Sequence, residues 1–136
     1  MAGIDTSGLD DLVRQMQRMG QQTGPVADEM LDAAAAIIRD QWRETARERG
    51  HVDTGAMIDS VDFPVKGNAQ ALYRDIYPQG TDAKGVRNAE KAFILHYGKH
   101  NMPGDYWVDD AEMKAGPKAI EACQAIWDRF LQREGG

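Results

Sequence analysis

The chain has 136 residues, of which 42% are hydrophobic and 28% are charged. This length and composition are typical of one globular domain with its own core and argue against a largely disordered chain. The formal net charge of −6 argues against broad, non-specific binding to nucleic acid. No apolar run approaches the ~20 residues that a membrane span needs, and no basic segment followed by an apolar one opens the chain, so we expect no secretory signal.

Two helices are predicted in the first third of the chain. Residues 1–6 have no periodic pattern and are expected to be flexible, whereas residues 7–20 predict a short N-terminal helix. Residues 25–49 predict the longest helix, because Pro25 suits a first helical position and Gly50 can end the helix. Its apolar residues form one stripe: Val26, Met30, Ala34, Ile37, Ile38, Trp42 and Ala46.

The middle of the chain changes to an alternating pattern. Residues 60–77 predict a β-hairpin, because apolar and polar residues alternate before a turn and aromatic residues follow it. Pro64 cannot donate a ladder hydrogen bond, so the first strand is expected at an edge or with a bulge. Residues 78–88 are polar and glycine-rich and predict a flexible loop.

The last third is predicted to be mainly helical. A short helix over 89–97 is expected to turn four side chains inward and to end at Gly98. Those four are Ala92, Phe93, His96 and Tyr97. A further helix is expected over 109–115, with Gly116 and Pro117 breaking the pattern before a C-terminal helix over 117–133. The predicted fold class is α+β, with a small antiparallel sheet packed on the long helix and the C-terminal helix.

Possible metal and thiol chemistry has little support in the sequence. His96 and His100 have the spacing of two ligands on one helix face, but Gly98 lies between them and no third ligand recurs at a diagnostic distance. Cys123 is the single cysteine, which excludes an intrachain disulfide and fits a reducing compartment. It falls on an apolar helical stripe, which predicts a buried and inert thiol. We therefore expect no metal and no cofactor.

The weakest functional hypothesis is a hydrolase with a catalytic triad. Ser60 could be combined with His51 or His96 and with Asp53, but nothing around Ser60 resembles a nucleophile elbow. The glycines are isolated, and none precedes a Lys-Ser or Lys-Thr pair that would cradle a phosphate. The sequence predicts that the protein is not an enzyme.

A locally basic segment suggests binding to a partner. Six basic residues and three acidic residues lie between Lys66 and Lys99. The candidate interface residues are Lys84, Arg87, Lys91, Tyr97, Tyr106 and Trp107. Trp107 lies beside a Pro-Gly turn, and exposed aromatic residues are frequent at interface hot spots. An alternative function is a small nucleic-acid-binding or toxin–antitoxin-type regulatory module that uses the same basic segment.

Three segments, in this order along the chain, resemble motifs of one protein family. Residues 52–61 (VDTGAMIDSV) resemble its dTG-x-L-x-x-S-I signature, and residues 92–98 (AFILHYG) resemble its Y-A-x-x-v-E-f-G-t segment. Residues 102–111 (MPGDYWVDDA) resemble its m-p-a-r-P-F-l-r-p-A segment. On these motifs the chain resembles a family of tailed-bacteriophage tail components, the tail-completion or head–tail joining proteins in the neck of siphophage-like virions.

This resemblance implies a structural virion protein that forms a ring, six-fold or twelve-fold, around the DNA channel. The implied partners are further copies of the chain, head-connector proteins and tail-tube or terminator proteins, with genome DNA passing through without sequence-specific contact. The implied location is the virion neck or tail, after assembly in the host bacterial cytoplasm and without membrane contact. Acidic residues do not neutralise DNA phosphates and so release no counterions from DNA, which would let DNA slide past them. Two acidic groups are candidates to face the DNA channel: Asp109, Asp110 and Glu112, or Asp53 and Asp59.

The motif residues also have structural roles in this interpretation. Asp53 or Thr54 can cap a short helix over residues 55–60 through a side-chain oxygen. Gly55 permits a close backbone approach, and Gly98 ends a helix. Ser60 and Pro103 complete the set of structural motif residues.

Overall fold

A computed structural model describes residues 24–53, 55–64, 66–68 and 71–135, together with Gly8 and Asp10. The helices in these ranges are α1 (Gly24–Glu48), α2 (Ala56–Asp59), α3 (Asn88–Tyr97) and α4 (Trp107–Gly135). The strands are β1 (Val61–Asp62), β2 (Lys66–Asn68), β3 (Ala71–Arg74), β4 (Tyr77–Pro78), β5 (Gly98–Lys99) and β6 (Met102–Pro103).

The predicted flexible segment 1–6 and N-terminal helix 7–20 lie outside the described residues, except that Gly8 and Asp10 are helical. A Cβ atom added at Gly8 would lie 3.4 Å from Cδ1 of Ile120, so this point of the chain contacts α4.

Helices α1 and α4 pack side by side in opposite directions and contain most of the core. The start of α1 meets the end of α4, where Met30 and Cys123 are fully buried and the Cys123 thiol donates to the Met30 carbonyl at 3.3 Å. Alanine at 27 and 34 of α1 and at 119 of α4 lets the two backbones approach closely. The remaining members of this cluster are Val26, Ile126, Trp127 and Phe130.

A second core cluster joins the other end of the helix pair to the smaller elements. The rings of Trp42 on α1 and Trp107 on α4 meet edge to face, with centroids 5.6 Å apart. Ile58 of α2 and Val61 of β1 are buried against them. Polar contacts close this end, with Arg49 bonded to Asp110 at 3.0 Å. Two further pairs are Lys114 with Glu48 at 3.2 Å and His51 with Asp105 at 2.7 Å.

Helix α4 does not break at residues 116–117, which corrects the predicted C-terminal helix over 117–133. The helix is continuous from Trp107 to Gly135 and contains Pro117. Proline removes one helical hydrogen bond and crowds the preceding turn, but Pro117 is on the exposed side of α4. The buried residues on either side keep one helical spacing against α1: Ala111, Ala115, Ala119, Cys123 and Ile126. Packing of that continuous stripe outweighs the local cost of the proline.

The predicted hairpin over 60–77 consists of two antiparallel strand pairs, here called the β-arm. Strand β1 pairs with β4, and β2 pairs with β3, which both lie between β1 and β4 in the sequence. Pro64 lies in the interval between β1 and β2, where no ladder hydrogen bond is required of it. Strands β5 and β6 form a separate antiparallel pair.

The α+β class, with small antiparallel sheets beside a long helix and a C-terminal helix, is confirmed. Within the described ranges, no helix has both the length and the hydropathy to cross a membrane.

Arg74 attaches this arm to α1. Its side chain is only 2% exposed, and its Nε donates to Asp32 Oδ1 at 2.9 Å. A second guanidinium nitrogen bonds the Asp28 carboxylate and, at 3.3 Å, the Asp28 carbonyl. Arg43 of α1 also donates to the carbonyl of Val61 in β1, at 2.7 Å. The arm therefore depends on guanidinium contacts to α1.

We expect Arg74→Met to lower the free energy of unfolding by about 2 kcal/mol, because hydrogen bonds to charged groups are lost at a buried guanidinium. Urea unfolding followed by circular dichroism measures this loss. Arg129→Met is the matched control, since Arg129 and Glu29 are both mostly exposed and their charged atoms are 4.0 Å apart. That control should change stability by less than about 0.5 kcal/mol. Equal effects of the two substitutions would contradict the role given to Arg74.

Candidate functional site

Residues 81–87, here called the basic loop, form an exposed turn built around one aspartate. Asp82 Oδ1 accepts the backbone N–H groups of Lys84 at 2.8 Å and Val86 at 2.9 Å. The Asp82 N–H donates to the Val86 carbonyl at 2.8 Å, and Thr81 bridges to Arg87. A side-chain oxygen that accepts successive backbone N–H groups fixes a turn. The predicted flexible loop over 78–88 is therefore corrected to a hydrogen-bonded turn that follows β4.

Lys91 stabilises this turn from α3. Its ammonium group pairs with Asp82, and this bond, together with the Val86 N–H, lowers the pKa of Asp82 to about 2. Lys91 is therefore engaged within the chain, and its role at a partner interface stays a prediction. Lys84 and Arg87 are exposed, and neither forms an ion pair with another residue that the structure describes. These two cations remain available at the surface.

The basic segment predicted between Lys66 and Lys99 is divided by the fold. The guanidinium of Arg74 is buried against α1, and Lys91 is paired with Asp82. Among the basic side chains of this segment that the structure describes, exposed cations without an ion pair are Lys84, Arg87 and Lys99. Two of these three cations belong to the basic loop, so the exposed positive charge of this segment is concentrated there.

Phe93, Tyr97 and Tyr106, here called the aromatic patch, are exposed side by side. Their exposed fractions are 60%, 46% and 52%, and Tyr97 lies 4.7 Å from Phe93 and 6.0 Å from Tyr106 between ring centroids. The prediction that Phe93 and Tyr97 point inward is wrong. Ala92 and His96 lie on the side of α3 that packs against the core. Phe93 and Tyr97 lie on the neighbouring, exposed side of the helix. Exposure of Tyr97 and Tyr106 is compatible with the interface role predicted for them.

His96 lies directly beneath the aromatic patch and is 2% exposed. Its ring contacts those of Tyr97 and Tyr106 at 4.5 and 5.0 Å. Its Nδ1 accepts the backbone N–H of Val108 at 3.2 Å, which caps the start of α4. This acceptor role places the proton of the neutral ring on Nε2. Burial lowers the pKa of His96, and the carboxylates of Asp109 and Asp105 partly oppose this shift.

A close backbone crossing fixes where the aromatic patch lies. A Cβ atom at Gly104 would be 2.2 Å from the carbonyl oxygen of His96, and one at Gly98 would be 2.4 Å from the Gly104 nitrogen. Gly98 also has φ 87°, and it pairs with Pro103 across β5 and β6. Tyr106 follows with φ 55°, a left-handed conformation that is unfavourable for a bulky residue. Gly98 and Pro103, predicted as structural residues, therefore form part of this backbone crossing.

Trp107 is fully buried, which corrects its predicted position at a partner surface. It lies between Trp42 and His51, whose rings are 5.6 and 5.9 Å away. The Pro-Gly turn before it belongs to the tight β5–β6 crossing rather than to an open loop, so the tryptophan turns into the core.

The DTG segment, residues 53–55, leads into the predicted short helix, α2. Gly55 is the N-cap residue with φ 83° and no side-chain cap hydrogen bond, and the cap by Asp53 or Thr54 stays a prediction. Thr54 lies outside the described residues. Ser60 donates its hydroxyl to the Met57 carbonyl at 2.8 Å and so closes the end of this short helix.

Groups that could act in hydrolysis have structural partners instead. His51 is bonded to Asp105, and His96 caps α4. Burial raises the pKa of the Cys123 thiol to about 11, which keeps it protonated near neutral pH. Within the ranges that the structure covers, no three His, Cys, Asp or Glu side chains are grouped to hold a metal ion.

A family model described as "Bacteriophage HK97-gp10, putative tail-component" matches residues 10–93, well over half of the chain. The chain belongs to this family. The match includes α1, the DTG segment, the β-arm, the basic loop and part of α3. Membership makes the protein a phage tail component, a structural class that belongs to the virion and contacts other virion proteins.

Other comparisons add little to this assignment. The tail component is 30% identical over 86 residues to an alanine–tRNA ligase of Streptomyces avermitilis. The aligned part is 62% of this chain, and the chain spans about a tenth of the length of that enzyme. No solved structure matches significantly.

We expect Asp82→Ala to loosen the basic loop of the tail component, because two backbone N–H groups lose their acceptor and Lys91 loses its partner. Hydrogen exchange of the Lys84 and Val86 amides, measured by NMR, should be at least tenfold faster. Asp75→Ala, which removes an exposed carboxylate from the segment between β3 and β4, is the control and should leave both rates unchanged. Unchanged exchange in Asp82→Ala would show that the turn is held by other contacts.

The lowered pKa of His96 predicts an acid-sensitive stability. The unfolded chain binds this proton more tightly, so stability is fully present above the ordinary pKa of 6.5 and decreases as pH falls below it. The decrease is at most about 1.4 kcal/mol per pH unit for one group. Urea unfolding at pH 7.5 and 5.5 should show a smaller pH dependence in His96→Gln than in the wild type. His100→Gln, at an exposed turn, should retain the wild-type dependence; an unaltered dependence in His96→Gln would refute the assignment.

Proposed function

We propose that this tail component forms an oligomeric ring at the neck or tail end of the virion, which completes the tail or joins it to the head connector around the DNA channel. The proposal rests on membership of the tail-component family. It is supported by the surface of the described chain, which presents ordered features suited to protein contacts. The basic loop and the aromatic patch are both exposed, whereas the histidines and the cysteine considered for catalysis are engaged in structural contacts.

A ring requires each copy to present two different surfaces, because repeated head-to-tail contacts close when the rotation per copy divides a full turn. Six-fold or twelve-fold closure is the expectation from the family resemblance. The partners proposed beyond the ring are the head-connector and the tail-tube or terminator proteins, with assembly in the bacterial cytoplasm.

We assign the channel-facing role to Asp53 and Asp59 rather than to the acidic group at the start of α4. Asp110 is neutralised by Arg49 and Lys114, and burial, followed by the nearby Asp109 charge, raises the pKa of Glu112. Asp53 and Asp59 are exposed and have no ion pair with another described residue. Unneutralised carboxylates repel phosphate and release no counterions, so DNA passes without being held.

The nucleic-acid-binding alternative gains no support from this surface. Salt-dependent DNA binding requires several phosphate contacts, and the guanidinium of Arg74 and ammonium of Lys91 are both committed within the chain. Salt-dependent retention of the purified protein on DNA at low micromolar concentration would favour that alternative.

A null allele in the parent phage should leave full heads and tails that do not join, with infectious yield reduced at least a thousandfold. Electron microscopy of the lysate counts separate and joined particles. The double variant Lys84→Glu, Arg87→Glu should reproduce this defect, because the basic loop loses its charge without losing Asp82.

The matched control is Lys118→Glu, Arg133→Glu, which makes the same charge change at exposed positions of α4. It should assemble normally. Normal infectious yield from the null allele would contradict the proposed function.

A further inference from the structure

The basic loop and the aromatic patch lie at opposite ends of α3. The basic loop ends at Arg87, immediately before the helix, and the patch begins in its second half at Phe93. Phe93 follows Arg87 by ~9 Å along the helix axis, and Tyr97 follows Phe93 by a further ~6 Å. Among the described residues, no ring contact or ion pair joins a cation of the loop to the patch. Both surfaces are therefore uncovered in the described chain and can contact a second copy.

The two surfaces are chemically complementary. The basic loop presents Lys84, Arg87 and the exposed apolar side chain of Val86, which is 41% exposed. The aromatic patch offers three ring faces, and Glu90 adds a carboxylate on the same exposed side of α3. Ring faces attract guanidinium and ammonium groups, with arginine the more frequent partner. The same chain shows this contact internally, where Arg39 lies over Phe63 at 5.4 Å.

Tyr106 combines an unfavourable backbone conformation with an exposed ring. A tyrosine with φ 55° carries a steric cost that Gly or Asn would largely avoid. Its side chain is half exposed, so core packing alone does not account for the ring. Strain of this kind concentrates at binding sites, where the surrounding structure maintains it. Here the Tyr106 N–H donates to the His96 carbonyl at 3.0 Å, beside the glycine crossing that fixes the loop.

We propose that the basic loop of one copy docks on the aromatic patch of the next copy, with Arg87 and Lys84 over the rings of Phe93, Tyr97 and Tyr106. This inference rests on the proposed ring and names the contact that builds it. A symmetric contact of two basic loops would bring like charges together, which favours the head-to-tail arrangement. Because the two surfaces differ, each copy retains a free loop at one side and a free patch at the other until the ring closes.

Cross-linking in assembled particles tests the contact directly. A phage carrying Ala83→Cys together with Lys99→Cys places one thiol on the basic loop and one on the strand beside the aromatic patch, both at exposed positions. A short bismaleimide should give a ladder of covalent multimers on a denaturing gel of purified virions. Either single variant should give no more multimer than the wild type, whose Cys123 is buried and protonated.

Substitution of the patch gives an independent test. Tyr106→Asn relieves the left-handed strain but removes the ring contacts with His96 and Tyr97, so the melting temperature should change little, while joined particles fall at least tenfold. Phe93→Lys places a cation on the exposed face of α3 and should give the same assembly defect. Met113→Lys is the control, because Met113 is similarly exposed, at 63%, but lies on α4. It should assemble normally.

The outcomes separate this inference from the proposed function. Virions that contain the protein but give no ladder from the double cysteine variant would overturn the inference and leave the ring role intact. Equal ladders from a single cysteine variant would indicate a symmetric contact and would also overturn it. A patch variant that loses joining while the ladder persists would assign the patch to a different virion protein. Virions that lack the protein altogether would refute the proposed function itself.

Discussion

The antiparallel packing of α1 on α4 is the constraint on which the other elements depend. Alanines at the contact let the backbones approach, and the buried residues on α4 keep one spacing along the helix. At one end of the pair the tryptophans Trp42 and Trp107 form the base on which α2 and β1 pack. Along the side of α1, Arg74 and Arg43 attach the β-arm. Helix α2 and strands β1 and β3 are therefore positioned by contacts to the helix pair, since strands of two to four residues are too short to be stable alone.

Helix α3 converts this scaffold into a surface with distinct ends. Its covered face is narrow, and His96 on that face caps α4, so α3 and α4 are fixed relative to each other. The uncovered face presents Phe93 and Tyr97, and the glycine crossing carries Tyr106 to their side. At the other end Asp82 orders the basic loop through hydrogen bonds to Lys84 and Val86. Preorganised surfaces lose less conformational entropy on binding, which suits repeated contacts in an assembly.

The sequence predicts the elements whose signal is local. The stripe and end signals of α1 place the helix over 25–49, and the structure has it at Gly24–Glu48. Local sequence signals are misleading where a contact with a residue far away in the sequence determines the structure. Gly116 and Pro117 are typical of a break, but α1 holds the helix together across them. The sequence predicts Phe93 inside and Trp107 at the surface, but Phe93 is exposed and Trp107 is buried, because the tertiary arrangement decides which aromatic ring is covered.

The same limit applies to the candidate site. Six basic residues between Lys66 and Lys99 suggest a basic surface, but Arg74 and Lys91 have partners 42 and nine residues away that no local pattern reveals. The order of three short motifs nevertheless predicted the family. The family model confirms it over residues 10–93, a range that contains the first motif and ends at the start of the second. The strained Tyr106 had no sequence signal, since a left-handed φ is a property of the folded backbone.

The central claim is that this chain works by assembling with copies of itself rather than by transforming a substrate. Electron cryo-microscopy of the neck and tail end of intact virions from the parent phage tests this claim most directly. We expect a closed ring of this chain around the DNA, with residues 81–87 of each copy against α3 of its neighbour. A neck without density for this chain, or with isolated single copies that do not touch one another, would contradict it.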